Sequence, residues 1–121
     1  MSNTTKIAEL NDRFRKAAAN ADPAAINLGR KFVTSGISAL GLMAYLEIND
    51  RVMAFDSFSE DNDPHGEHDF GSFDYDGRRV FWKISYYDRA SFGTGPDMGS
   101  DDPADPAKTL RILTIMLASE Y

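Results

Sequence analysis

The sequence predicts an α+β domain: a small antiparallel sheet of about four strands with a central hairpin, packed by an N-terminal, a middle and a C-terminal helix. Three observations carry this reading. Apolar residues recur at helical spacing near the N-terminus, an Asp-Gly pair divides two β-rich runs in the middle, and a long apolar segment closes the chain. The 121 residues are the length of one domain, and such a chain buries roughly two-thirds of the surface that its unfolded form exposes.

The elements follow in order. Ile7, Leu10, Phe14 and Ala17 recur at steps of three and four, which predicts an amphipathic helix that ends before Asp22-Pro23. Residues 1–9 are expected to be flexible. Ile26 to Thr34 reads as a first strand, broken by Gly36, and Ala39 to Ile48 as a short helix that stops at Asn49-Asp50. Arg51 to Phe58 alternates and reads as a strand covered on both faces. Phe70 to Tyr75 and Arg79 to Tyr87 flank Asp76-Gly77, the strongest short-range hairpin signal. In the second arm Val80, Trp82, Ile84 and Tyr86 share one face. Residues 91–105, rich in Gly, Ser, Asp and Pro, form an exposed loop. Asp105-Pro106 then reads as the cap of a last helix carrying Leu110, Ile112, Leu113, Ile115, Met116 and Leu117.

Composition excludes several function classes. There is no cysteine, so disulfides, thiolate metal sites and a cysteine nucleophile are out. No basic-then-apolar leader opens the sequence, and its apolar stretches are shorter than the ~20 residues that span a bilayer; a cytoplasmic protein with no membrane contact is the expectation. The net charge of −6 argues against direct binding to nucleic acid or anionic lipid. It is unevenly spread. Residues 1–49 carry six basic and four acidic groups (+2), residues 50–105 five and fourteen (−9), and residues 106–121 two and one (+1). An acidic middle of this kind either keeps the surface solvated or complements a basic groove on a partner protein.

The densest polar run is Glu60 to Asp69, with five carboxylates and both histidines. Asp61, Asp63 and Gly66 match the first, third and sixth positions of a calcium loop, but Ser72 stands where a bidentate Glu is needed. His65 and His68, with Glu67 and Asp69, are weak candidates for a transition metal, because Pro64 and Gly66 favour a turn over a helix. No metal and no cofactor is assigned. His68 beside a carboxylate permits acid–base chemistry. The structural alternative is that these groups bond loop amides and carbonyls. A nucleophile elbow, a dinucleotide fingerprint and a P-loop are all missing.

The runs Leu10–Arg15, Asn62–Gly71, Phe81–Asp88, Asp101–Pro106 and Leu113–Tyr121 resemble an uncharacterised bacterial family, a domain of unknown function found mainly in alphaproteobacteria and often on plasmids and other mobile elements. The resemblance spans residues 10–121 and implies no activity and no catalytic residue. Its genomic setting, joined to the acidic middle, implies a small inhibitor of a nucleic-acid-handling defence complex, of the anti-restriction or anti-CRISPR type. The expected partner is a basic nucleic-acid-binding effector or nuclease. Asp61, Asp63, Glu67, Asp69, Asp101 and Asp102 are the expected contacts. The alternative is a metal-dependent or acid–base enzyme built on His65, Glu67, His68 and Asp69.

Overall fold

A computed structural model describes residues 3–17 and 22–121. The elements are α1 (Asn3–Lys16), α2 (Pro23–Ile26), β1 (Gly29–Val33), α3 (Ser35–Ser38), α4 (Leu42–Ala54), β2 (Phe70–Tyr75), β3 (Arg78–Asp88), β4 (Thr109–Leu117) and a 3-10 turn at Ala118–Glu120. The α+β class holds. One four-stranded sheet runs in the order β1-β4-β3-β2. Phe14 of α1 and Ile48 and Val52 of α4 pack against Val80, Trp82, Ile84, Leu113 and Ile115, so the two long helices share one face of the sheet.

The hairpin is where the sequence places it. Asp76 and Gly77 have φ of 48° and 75°, the left-handed pair of a two-residue hairpin turn. Tyr75 pairs with Arg78 and Phe73 with Val80, which sets Val80, Trp82 and Ile84 on the helix side. Gly71 lies opposite Trp82, and a Cβ there would stand 2.4 Å from the indole nitrogen; only glycine lets the ring lie flat on β2.

Three elements differ from expectation. The C-terminal segment is the strand β4, not a helix. It is buried on both faces, Leu113 and Ile115 toward the helices and Leu110, Ile112 and Met116 on the other side. A strand covered twice is apolar all round, as a buried helix is, and only its β-branched Thr109, Ile112, Thr114 and Ile115 separate the two. The Asp105-Pro106 signal makes one turn, with Asp105 accepting from the Ala107 and Thr109 amides. Arg51 to Phe58 is not a strand: α4 continues to Ala54, because Ile48 and Val52, four residues apart, bury the same stripe. The sheet is mixed, with β1 parallel to β4. Local patterning specifies which face is buried, but it carries no direction for pairing between strands some eighty positions apart.

Smaller adjustments follow. Asn3 to Glu9, expected to be flexible, are helical, with Ile7 and Ala8 buried; residues 1 and 2 and the stretch just before Asp22 lie outside the described residues. The first strand is shortened to Gly29–Val33 by the helical turn α2, whose Ala25 amide Asp22 caps. Residues 93–99 are exposed, but the same loop pairs Gly99 with Tyr87 and buries Ala104. Glu120 accepts from Thr34 Oγ1, Gly36 N and Leu117 N, which fastens the end of the chain to the β1–α3 junction.

Leu113→Ala, which opens a cavity under a residue with no exposed surface, is expected to cost about 2–5 kcal/mol in urea denaturation. A loss below about 1 kcal/mol would contradict a doubly covered β4.

Candidate functional site

Asn11, Asp12 and Arg15 lie within one turn and a half of α1, on the side facing the sheet and the 56–69 segment. Asn11 is fully buried. Its amide nitrogen donates to Glu67 O (2.9 Å) and Tyr86 Oη (2.8 Å), and its Oδ1 accepts from Arg111 Nε (2.7 Å). Tyr86 Oη donates in turn to Glu67 Oε1 at 2.8 Å. Burial, and then the Glu67 carboxylate, push the Tyr86 hydroxyl well above its ordinary range, so it stays a donor. Arg111 also donates to Pro103 O at 2.6 Å and lies over the Tyr86 ring. Arg15, likewise without exposed surface, donates to Val52 O and Met53 O and pairs with Asp12 at 3.0 Å. It closes the C-terminal end of α4, where a cation meets unpaired carbonyls, and it sits over the Trp82 and Phe58 rings.

The 56–69 segment is built around Asp63. Its carboxylate accepts from the Glu67 and His68 amides, and Asn62 bridges Ser59 N and Ser57 O. The tight turn sends His68 into the left-handed region at φ 57°, a conformation that costs a non-glycine residue about 1–3 kcal/mol. The ring is held there on three sides. Nδ1 lies 2.9 Å from Asp12 Oδ2, Nε2 lies 3.8 Å from Asp63 Oδ2, and the plane stacks on Phe58 at 3.9 Å and 1°.

The expected site residues therefore divide. Asp63 and Glu67 are spent on internal bonds, and Asp63 is only 7% exposed. Asp69 is half-buried; burial first, and then the Glu67 and Asp63 charges, raise its pKa. Asp61, Asp101 and His65 are exposed and Asp102 is half-buried. Among the described residues no three His, Asp or Glu side chains are grouped to hold an ion. Asp12 and Asn11, partners of this segment, went unmarked in the sequence because they lie more than fifty positions away; the polar Asn11 within an apolar helical stripe is the one local signal.

A second feature lies on the other side of α1. A cavity of about 460 Å³ opens between α1, β1 and α4, lined among others by Phe14, Ile26, Lys31, Tyr45 and Met53. Tyr45 also lines a neighbouring one of about 280 Å³ with Val33 and Leu42, so the two form one trough along β1. Leu42, which lines the smaller cavity, is 70% exposed; its neighbour Met43 on α4 is 69% exposed, and Leu46 and Ile26 are exposed as well. Lys31 spans the trough floor, its ammonium donating to Arg15 O and Ala17 O, and burial pulls its pKa down. The sequence held a sign of this face: Leu42, Met43 and Leu46 are more apolar residues than one buried stripe of α4 needs.

Fold and site thus define a small α+β domain with a mixed four-stranded sheet, a polar network pinning α1, and an open apolar trough. The chain belongs to the family described as Protein of unknown function (DUF3768), whose model matches residues 33–120. The match takes in three of the five resembling runs whole and a fourth up to residue 120, and it begins after α1, so the Leu10–Arg15 run falls outside it. No curated protein and no solved structure matches the chain.

Two outcomes are expected. Asn11→Ala leaves the buried Arg111 Nε without its acceptor and should cost about 1.5–3 kcal/mol in thermal or urea denaturation; parent-like stability would show that the network does not hold α1. Asp69 has a raised folded pKa, so the folded state binds its proton more readily than the unfolded state does. Its ionisation therefore costs stability above the folded pKa, and that cost disappears as pH falls below the ordinary aspartate range. Asp69→Asn should accordingly be more stable than the parent at pH 7, with the difference closing at acid pH. A variant equal to the parent across that range would contradict the buried environment.

Proposed function

We propose that this protein is a binding module that acts by covering a surface of another protein, and that it inhibits a nucleic-acid-handling defence complex of the anti-restriction or anti-CRISPR type in the cytoplasm. The observation that carries the binding reading is the pair Leu42 and Met43, about 70% exposed side by side on the first turn of α4, with Leu42 also lining the smaller cavity. Apolar groups gathered at the rim of a cavity on a small domain mark a docking face. The choice of partner rests on charge. Asp56, Glu60, Asp61, Asp97 and Asp101 are exposed and without a hydrogen bond or ion pair among the described residues. Such groups complement a basic groove and speed the encounter with it. The contact set is accordingly narrowed: Asp61 and Asp101 stay, Asp102 and Asp69 stand at its margin, and Asp63 and Glu67 are internal. The alphaproteobacterial and mobile-element setting of the resembling sequences is in keeping with this role.

The enzyme reading has one observation in its favour, the Asp12–His68 contact. Against it, Nε2 lies 3.8 Å from the Asp63 carboxylate and Glu67 is engaged by Tyr86.

Affinity capture from cells carrying CRISPR and restriction systems tests the proposal. The parent should retain a nuclease or surveillance subunit. Leu42→Asp with Met43→Asp should lower its recovery by tenfold or more, the scale of losing about 2 kcal/mol from an interface centre. Asp61→Lys with Asp101→Lys should lower it in a salt-dependent way. Equal recovery by all three proteins would overturn the proposal.

A further inference from the structure

β1 is an edge strand, and its pairing shows which of its backbone groups turn away from β4 and have no hydrogen bond among the described residues. Arg111 N donates to Leu28 O, and Thr34 N donates to Ile115 O. In a parallel ladder alternate residues face the neighbouring strand, so residues 28, 30, 32 and 34 turn toward β4. Gly29, Lys31 and Val33 turn their N–H and C=O groups outward. The same three residues line the trough, Gly29 and Lys31 at the larger cavity and Val33 at the smaller. Among the described residues, backbone donors and acceptors without partners therefore run beside a channel whose apolar walls are Tyr45, Met53 and Leu42 and whose polar lining is Lys31, Asn49 and Asp50.

We propose that the occupant of this trough is an extended segment of a partner protein that adds a fifth strand to the sheet along β1. Backbone bonds to residues 29, 31 and 33 supply its affinity, and alternate apolar side chains enter the two cavities. The proposal rests on the protein-binding reading above and names the mode of contact.

Charge completes the chemistry of that segment. β1 carries Arg30 and Lys31 side by side. The Arg30 guanidinium lies on the far face of the sheet against the Phe92 ring, with no carboxylate partner among the described residues. An acidic side chain on the added strand, between two apolar ones, falls opposite it. A second copy of this chain fits poorly. Antiparallel pairing of two β1 edges about Lys31 sets lysine against lysine, and like charges directly opposite destabilise a sheet.

The test uses the full chain, isotopically labelled, titrated to millimolar peptide while its amide resonances are followed. The probes are three blocked hexapeptides: alternating Val-Glu, alternating Val-Lys, and Val-Glu with N-methyl groups on every second residue. The Val-Glu peptide should move the amide signals of Gly29, Lys31, Val33 and Tyr45. The Val-Lys peptide should bind at least about threefold more weakly, the scale of a cross-strand charge pair. The peptide methylated along its bonding edge should not bind.

Binding at the trough that survives N-methylation overturns strand addition and leaves the protein-binding reading intact. Shifts mapping elsewhere, or none at millimolar peptide, overturn the proposal. Movement of the 29–33 amides on raising protein concentration alone makes a second copy the occupant and overturns it too. Loss of both peptide binding and the effect of the Leu42 and Met43 variants on capture removes the wider reading as well.

Discussion

Arg111 is a cation with no exposed surface near the start of β4, and the way its charge is met organises the polar half of the molecule. An isolated charge in a protein interior is prohibitively costly. Here three groups answer it: Asn11 Oδ1 from α1, Pro103 O from the β3–β4 loop, and the Tyr86 ring on the next strand. Because Asn11 must present its oxygen to Arg111, its nitrogen is left to donate to Glu67 O and Tyr86 Oη, and Tyr86 must then donate to Glu67 Oε1. Each bond fixes the sense of the next. One buried guanidinium thus settles where α1 docks, how the 100–105 loop returns to the sheet, and which way Glu67 points.

Arg15 has the matching role a turn further along α1. It meets the last carbonyls of α4 on one side and Asp12 on the other, and Asp12 holds the His68 ring. Two buried arginines, one on α1 and one on β4, therefore add polar ties among elements that already share the apolar core. Breaking one partner of such a pair is costlier than replacing both by apolar groups, which makes the arrangement a stringent specifier of one packing.

What could be read from the sequence was local. Asp76-Gly77 carries its own backbone geometry and the α1 stripe its own period, and both are found in the structure. The errors fall where burial overrides pattern. β4 is apolar on every side because it is central, and Val52 belongs to a helix because its partner is Ile48 four residues back. The polar run from Glu60 to Asp69 was visible as a cluster, and its use in bonding loop amides, with Gly66 at positive φ, is found in the structure; the distant partners of Glu67 and His68 were not visible. Asp63 is consumed by amides within five residues, an inward turn that Gly66 and Pro64 hinted at, while the groups that meet Glu67 and His68 come from α1. The acidic excess is thereby divided into carboxylates that build the fold and carboxylates that reach solvent, a division that composition cannot make.

The two edges of the sheet are treated differently, and the difference bears on function. On β2 the outward Asp74 carbonyl accepts from Arg51 of α4, whose guanidinium also covers the Phe73 ring at 4.3 Å, and Asp74 and Asp76 add charge at the exposed end. Such devices blunt an edge against further pairing. On β1 no described side chain is seen to bond the outward groups of Gly29, Lys31 or Val33, and the nearest helix turns Leu42 and Leu46 to solvent beside it. Arg30 and Lys31 supply the only charge on that strand, which discourages pairing with itself but not with an acidic strand. An edge left without partners among the described residues, in a molecule that covers its other edge, is the feature that the proposed added strand would complete.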